Sequence, residues 1–432
     1  MKRRGAMLLF AVAAAIALCL PQAGATGHHS HGGRHGRLLV VDNSGHHKSC
    51  LGTRHPFLAI QAAVDVARSG DTIRVCPGLY EENVEVETPR LTILGANAGK
   101  DPTGRKRRHE SVVTGVFADG LKGTVQLLAD HITWDGFTIR GIPEEENAPG
   151  MYTDPAHSGY LVRDTIFQDN GVGLRLGSSG RYPTLICRNR FQANNEFEPG
   201  GYGIFSDEGA RDVAIIWNRF QLHNEAGIFF ADRGKPQADV LIDHNKSVDD
   251  KTFATIFNTS RVKLSHNSVR ARVDDPEFPE PASAIFIGAR NDKVLVKLNR
   301  VWSASGNGID VTDSGELGKP DAAPTGVVVR KNKVTEAQLA GLHMAGGTSN
   351  VTVDANTALD NTKWDCQDES TGGTGTAGTH NTWTGNFGGT SSPAGLCAPP
   401  PTPDKPDHGK GHHHKKKKKK DPCACRQHPK AF

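Results

Sequence analysis

Beyond its first 25 residues the 432-residue chain has no apolar run long enough to cross a bilayer, which excludes a membrane protein spanning by helices. Its central part also lacks the 3.6-residue apolar period that helical or leucine-rich repeats carry. Histidines gather near both ends, at His28, His29, His31, His35, His46 and His47 and again at 412–414, but no cysteine or carboxylate stands beside them at a defined ligand spacing. No dedicated metal site and no cofactor are therefore expected.

What the chain does have is a repeat. Eight times between Asp164 and Asn356 a hydrophobic alternation runs into an Asn, a polar turn follows, and a strand of the form Gly-hydrophobic-x-hydrophobic closes the unit. Clear copies are VAIIWNRF (213–220) with GIFF (227–230), VLVKLNRV (294–301) with GIDV (308–311), and VVVRKNKV (327–334) with GLHM (341–344). With Asp164, Asn189, Asn218, Asn245, Asn267, Asn299, Asn332 and Asn356 as equivalent positions, the spacings are 25, 29, 27, 22, 32, 33 and 24 residues. The strands alternate with period 2 and are rich in Val, Ile and Phe, so the unit is all-β. One such unit cannot close a core, and stacked units imply a solenoid in which each strand pairs one coil away at about 4.8 Å. The Asn suits a sharp corner, because it tolerates left-handed backbone and its amide can bond its counterpart in the next coil.

The ends read differently. Residues 1–25 combine Lys2, Arg3 and Arg4 with an apolar run and a small-residue AGA cleavage site at 23–25, the pattern of a secretory signal peptide, so a secreted, extracellular protein is expected. Residues 26–49 are His/Gly-rich, 50–398 hold the repeats, and 399–432 form a basic tail rich in Pro, His and Lys that is expected to be disordered. Net charge is +4, yet residues 401–432 carry ten Lys/Arg against three Asp/Glu, and the body between signal and tail is mildly acidic. Such a tail suits either loose attachment to an anionic cell-wall polymer or no specific partner, and nucleic acid is not an expected partner outside a cell. Oligomeric state is not readable. Cys50 with Cys76 and Cys366 with Cys397 bracket the two ends of the repeats and are expected to form disulfides; Cys187, within a strand, is expected to be a buried free thiol. A helix is predicted over 57–68, where it would cap the open first coil.

Aligning the Gly strands sets their second position, Leu174, Ile204, Ile228, Ile256, Ile285, Ile309 and Leu342, inward. The third position then faces out and reads Arg175, Phe205, Phe229, Phe257, Phe286, Asp310 and His343. Four Phe in successive coils make either a platform for flat ligands such as sugar rings or a stripe covered by a long connection, with 142–155 and 270–281 as candidates. Arg233 and Arg290 flank it at equal offsets, with Arg261 a weaker match. Stacked guanidinium groups suit carboxylates of an acidic polysaccharide, or simply pair with Glu208, Asp232 and Asp292. Asp310 and His343, on adjacent coils, sit close enough for a carboxylate to orient an imidazole, and Asp310 with Asp313 is the one tempting carboxylate pair for a glycosidase.

The repeats, with AI at 59–60, GDTI at 70–73 and GLYEE at 78–82, resemble the right-handed parallel β-helix superfamily of pectin-lyase-like architecture. The short Asn-turn-Gly-Ile units are similar to its carbohydrate-binding and sugar-hydrolase repeats. The resemblance spans about residues 50 to 390 and implies the fold. Its activities are not carried over: the catalytic strings of pectin methylesterases, polygalacturonases and alginate epimerases are absent, and IDH at 242–244 matches the pectate lyases' string while their Arg-x-Pro-x-x-Arg is missing. The sequence therefore leans to a secreted protein that binds polysaccharide on one strand face, with a lyase or glycosidase of unassigned type as the alternative.

Overall fold

The computed structural model describes residues 36–46, 49–104, 107–116, 122–141, 149–195, 200–273, 280–316 and 318–401. The signal segment, the residues from His28 to His35, and the basic tail with Cys423 and Cys425 lie outside them.

Three parallel sheets form the walls of a β-helix, each contributing one strand per coil. Sheet 1 has thirteen strands and precedes the Asn corner, sheet 2 has eleven and follows it, and sheet 3 has twelve and contains the Gly strands. Alternation drives this shape: Val213, Ile215, Val240, Ile242, Val262, Leu264, Val294 and Val296 from sheet 1 all point into one continuous core with almost no exposure. Sheet 2 contributes an internal aromatic stack, Phe167 on Phe191 at 4.7 Å and Phe191 on Phe220 at 5.0 Å, nearly parallel. Each such pair adds about 0.5–1.5 kcal/mol beyond the burial of its area. At the start of the sheet 3 strands Gly203 is required, because a Cβ there would stand 2.5 Å from the Gly227 carbonyl oxygen of the next coil.

The Asn residues make a buried ladder. The Nδ2 of Asn189 donates to Oδ1 of Asn218 at 3.1 Å, and the same bond repeats through Asn245, Asn267, Asn299, Asn332 and Asn356 to Asn386, one coil further than the repeat predicts. Each Oδ1 also accepts the backbone N–H of the preceding Asn, and each Nδ2 also donates to a main-chain carbonyl, as Asn218 does to Ile186. Two details differ from the sequence reading. The left-handed residue is the one before the Asn, as at Arg188, Trp217, His244, His266 and Lys331, all with φ near 55°. In the first of the eight repeat copies Asp164 takes that left-handed position and Thr165 stands in the ladder slot, donating its backbone N–H to Asn189 Oδ1. Asp164 is fully buried and held by the Arg188 guanidinium.

The cap is a short helix, α1 (Ile60–Val66), that buries Ile60, Ala63 and Val64 on the first coil. It begins three residues later than predicted because Glu82 receives the N–H groups of Ile60 and Gln61 at 2.7 and 2.9 Å, which fixes where the first turn starts. Disulfides join Cys50 to Cys76 and Cys366 to Cys397. In the chain-entropy picture each is worth about 3 to 4 kcal/mol. Cys187 is also disulfide-bonded, which corrects the free-thiol expectation. Alternation explains it: Ile186 faces the core, so the Cys187 sulfur faces outward, where another segment can reach it. Among the described residues no helix is long and apolar enough to cross a membrane.

Candidate functional site

Register along sheet 3 fixes the outward row residue by residue. It runs Gln126, Tyr152, Arg175, Phe205, Phe229, Thr255, Phe286, Asp310, His343 and Gln367. The row matches the predicted one except in one coil. There Ala254 takes the inward position assigned to Ile256, and Thr255 the outward position assigned to Phe257. Residues 149–153, expected within a covering connection, are a strand of the same sheet.

Phe257 nevertheless returns to the row from the turn. Its ring lies 5.9 Å from Phe229 and 5.6 Å from Phe286, closing over Thr255 from the side. Gly288 makes the room: a Cβ there would stand 2.1 Å from the Phe257 ring. Upstream, Tyr202 packs on Phe205 at 5.0 Å and on Phe229 at 5.3 Å, and Phe205 reaches Phe229 at 5.8 Å. The aromatic row is thus five rings in unbroken contact. Phe257 is buried, whereas Tyr202, Phe205, Phe229 and Phe286 remain half-buried. Burial among the rings, with Glu225 and Glu316 nearby, pushes the Tyr202 phenol up to about 12, so it stays a neutral donor. Tyr202 was not singled out from the sequence, because alternation from the inward Ile204, two residues on, places it on the inner face.

Because Thr255 is small, the row dips there into a groove of about 440 Å³. Phe229, Thr255, Phe257, Phe286 and Asp310 floor it, Glu225, Lys251, Pro281 and Leu339 stand on one wall, and Ser314, Gly315 and Glu316 stand on the other. Arg233 and Arg290 meet on that second rim within one ionic network. Arg233 pairs with Glu316 at 2.8 Å, Arg290 pairs with Asp232 at 3.1 Å and Asp321 at 2.9 Å, and Glu316 also accepts the Asp232 N–H. Arg175 lies two coils before Phe229 and is held by Asp207 and Glu208, the latter also bonded by the Tyr152 hydroxyl at 2.7 Å. Arg261 belongs elsewhere, on sheet 1, where it grips Asp239 with two hydrogen bonds.

At the far end of the row Asp310 and His343 face each other in register, with Oδ1 2.7 Å from Nδ1. The other Asp310 oxygen accepts from Ser283 at 2.9 Å and from Asn307 at 3.0 Å. His343 Nε2 lies 3.6 Å from Glu369. Burial works against a charged His343, but Asp310 and then Glu369 outweigh it and hold the imidazole pKa above the ordinary histidine value. Asp313 does not line the groove. Its carboxylate packs against Gly347 in the next coil, where a Cβ would stand 1.9 Å from Oδ2. Glu225 and Glu316, not Asp313, are the carboxylates that line the groove with Asp310. His244 and His266, in the IDH string and its counterpart, stack at 4.6 Å on a different edge, outside the Asn corner.

Residues 209–387 match the family described as right handed beta helix region. The chain folds as a right-handed parallel β-helix. No curated protein sequence matches it. Among solved structures, DFA-IIIase from Arthrobacter chlorophenolicus A6 is similar at 14% identity and a TM-score of 0.43, over 70% of this chain and 77% of that one. The Dettilon tailspike protein is similar at 13% identity and 0.44, over 82% and 68%. The pectin methylesterase from Aspergillus niger is similar at 12% identity and 0.38, over 77% and 87%. These likenesses concern the fold alone.

Proposed function

We propose that this protein is a secreted carbohydrate-binding β-helix whose sheet 3 groove holds a glycan chain. The contact chain Tyr202, Phe205, Phe229, Phe257, Phe286 carries this reading, because half-buried rings in line offer flat apolar faces to sugar rings. Glu225, Ser314 and Glu316 on the walls supply acceptors for hydroxyl groups. Arg175, Arg233 and Arg290 are each balanced by carboxylates of the protein, so their charges position the rims, and a neutral glycan suits the groove better than an acidic one. The disulfides at both ends of the coil suit an oxidising, extracellular setting.

A catalytic reading rests on the Asp310–His343 hydrogen bond beside the groove. It is the weaker reading for a chemical reason. A general base needs a neutral imidazole, and two flanking carboxylates favour the cation. Both oxygens of Asp310 are already engaged, by Ser283, Asn307 and His343.

Both readings are tested by passing the full chain over immobilised neutral polysaccharides and assaying the eluate for reducing or unsaturated ends. Retention without new ends, weakened in Phe229→Ala/Phe286→Ala, supports binding. New ends that vanish in Asp310→Asn and His343→Ala replace it with the enzyme reading. No retention and no turnover across the panel refute both.

A further inference from the structure

A second groove, of about 640 Å³, lies outside the Asn corner between sheets 1 and 2, away from the aromatic row. Its charged lining is basic throughout: His244, His266, Arg300, Lys331 and Lys333, with no carboxylate. Register explains how the charges accumulate. The first outward position of sheet 2 reads Arg190, Arg219, Lys246, Ser268, Arg300 and Lys333 in successive coils. Only Ser268 interrupts a column of cations set about 4.8 Å apart.

Like charges directly opposite one another in a sheet are destabilising, so such a column calls for a counter-charge. Elsewhere on the surface the protein supplies one from a neighbouring coil. Arg261 has Asp239, Arg270 has Asp249, Arg290 has Asp321 and Arg330 has Asp354. Along the column this pairing stops. The Nε atoms of Arg190 and Arg219 are buried without a hydrogen-bond partner, and Lys246, Arg300, Lys331 and Lys333 are exposed beside no paired carboxylate among the described residues. Asp243, at the groove's edge, is already engaged by Ser265, His244 and His266. Burial, followed by repulsion from Lys263 and then by Arg330 and Lys331, lowers the pKa of Lys297 behind the groove despite the attraction of Asp243. Trp302, 38% exposed, stands on the same face of sheet 2 two residues beyond Arg300.

We propose that this corner groove binds a linear acidic polysaccharide of the polyuronate class, its carboxylates spaced along the cation column and a sugar ring against Trp302. The site is on another face from the aromatic groove and does not rest on that groove's function. Repeated unpaired cations at the pitch of the coil fit a polymer with repeated anionic groups, and the exposed indole favours a sugar polymer.

The test compares full-chain proteins, all carrying the same basic tail, for affinity to alginate, to uncharged dextran and to duplex DNA at several salt concentrations. Arg300→Gln/Lys331→Gln/Lys333→Gln is expected to bind alginate about tenfold more weakly, with a shallower salt dependence. Lys235→Gln/Lys293→Gln/Lys363→Gln removes the same charge from exposed positions outside the groove and is expected to bind alginate like the wild type. Phe229→Ala/Phe286→Ala is expected to leave alginate affinity unchanged, which separates this site from the aromatic groove. A thermal melt checks folding; the groove variant should melt no lower than the wild type, because it loses only repulsion. Equal alginate affinity of the two triple variants overturns the proposal, as does dextran binding as tight as alginate by the Phe229→Ala/Phe286→Ala variant, or DNA binding with none to alginate.

Discussion

The inner corner and the outer row of sheet 3 share one backbone repeat yet use it in opposite ways. Inside, the same letter recurs, and Asn189 through Asn386 bond one another, so every coil answers the same demand for buried amide partners. Outside, the letter changes from Arg175 through Phe205, Phe229 and Thr255 to His343, although the strand spacing is the same. Constancy marks what the coil needs in order to stack. Variation, at a position free of that demand, marks where binding chemistry can be placed. Breaking either side should therefore have separable consequences.

The largest effect is expected from Asn267→Ala. It removes the acceptor of two buried donors on Asn245 and one of the two donors to Asn299 Oδ1, costing about 3 kcal/mol, read as a lower denaturant midpoint. Gly288→Ala should cost about 2 kcal/mol by overpacking, since the new Cβ meets the Phe257 ring; the same melt checks it, and weaker glycan retention should accompany it. Phe286→Ala, on the outer row and half-buried, should cost only about 1 kcal/mol in the melt while reducing glycan retention far more.

Smaller still is the effect of pH on the pair at the end of the row. The raised folded pKa of His343 means that its pairing with Asp310 stabilises fully below about pH 6.5 and fades as pH rises through the folded value. NMR titration should place His343 above the ordinary histidine value, and Asp310→Asn should lower it. Asp71 gives the opposite sign at the capped end: the Arg37 hydrogen bond holds its pKa at about 2, so that contribution is present above about pH 4 and is lost as pH falls towards 2.

The repeat made the fold legible because alternation and the Asn are local signals, and the facing of Asp310 towards His343 followed from the same ruler. The errors are equally local. Alternation fixes which face a side chain takes, but a slip of two residues leaves the face unchanged. In the 22-residue coil from Asn245 to Asn267, Phe253 replaces the Gly that marks the strand start elsewhere, so Ala254 and Ile256 were equally good inward residues and Phe257 was placed where Thr255 stands. At Asp164 an acid beside Thr165 imitated the missing Asn. Pairing of the flanking arginines was legible as one of two readings, and Asp232 does hold Arg290; the partners Asp207 of Arg175 and Glu316 of Arg233 were not, because they come from other coils and from turns of unequal length. The basic corner groove was missed for a related reason: its column is assembled only when sheet 2 is in register.

The most direct test of the account is a calorimetric titration of neutral oligosaccharides into the full chain and into Phe229→Ala/Phe286→Ala. Saturable binding by the wild type, abolished in the double variant while its melting temperature falls only slightly, is the predicted result. Undiminished binding by the double variant, or no binding by the wild type across the neutral series, would contradict it.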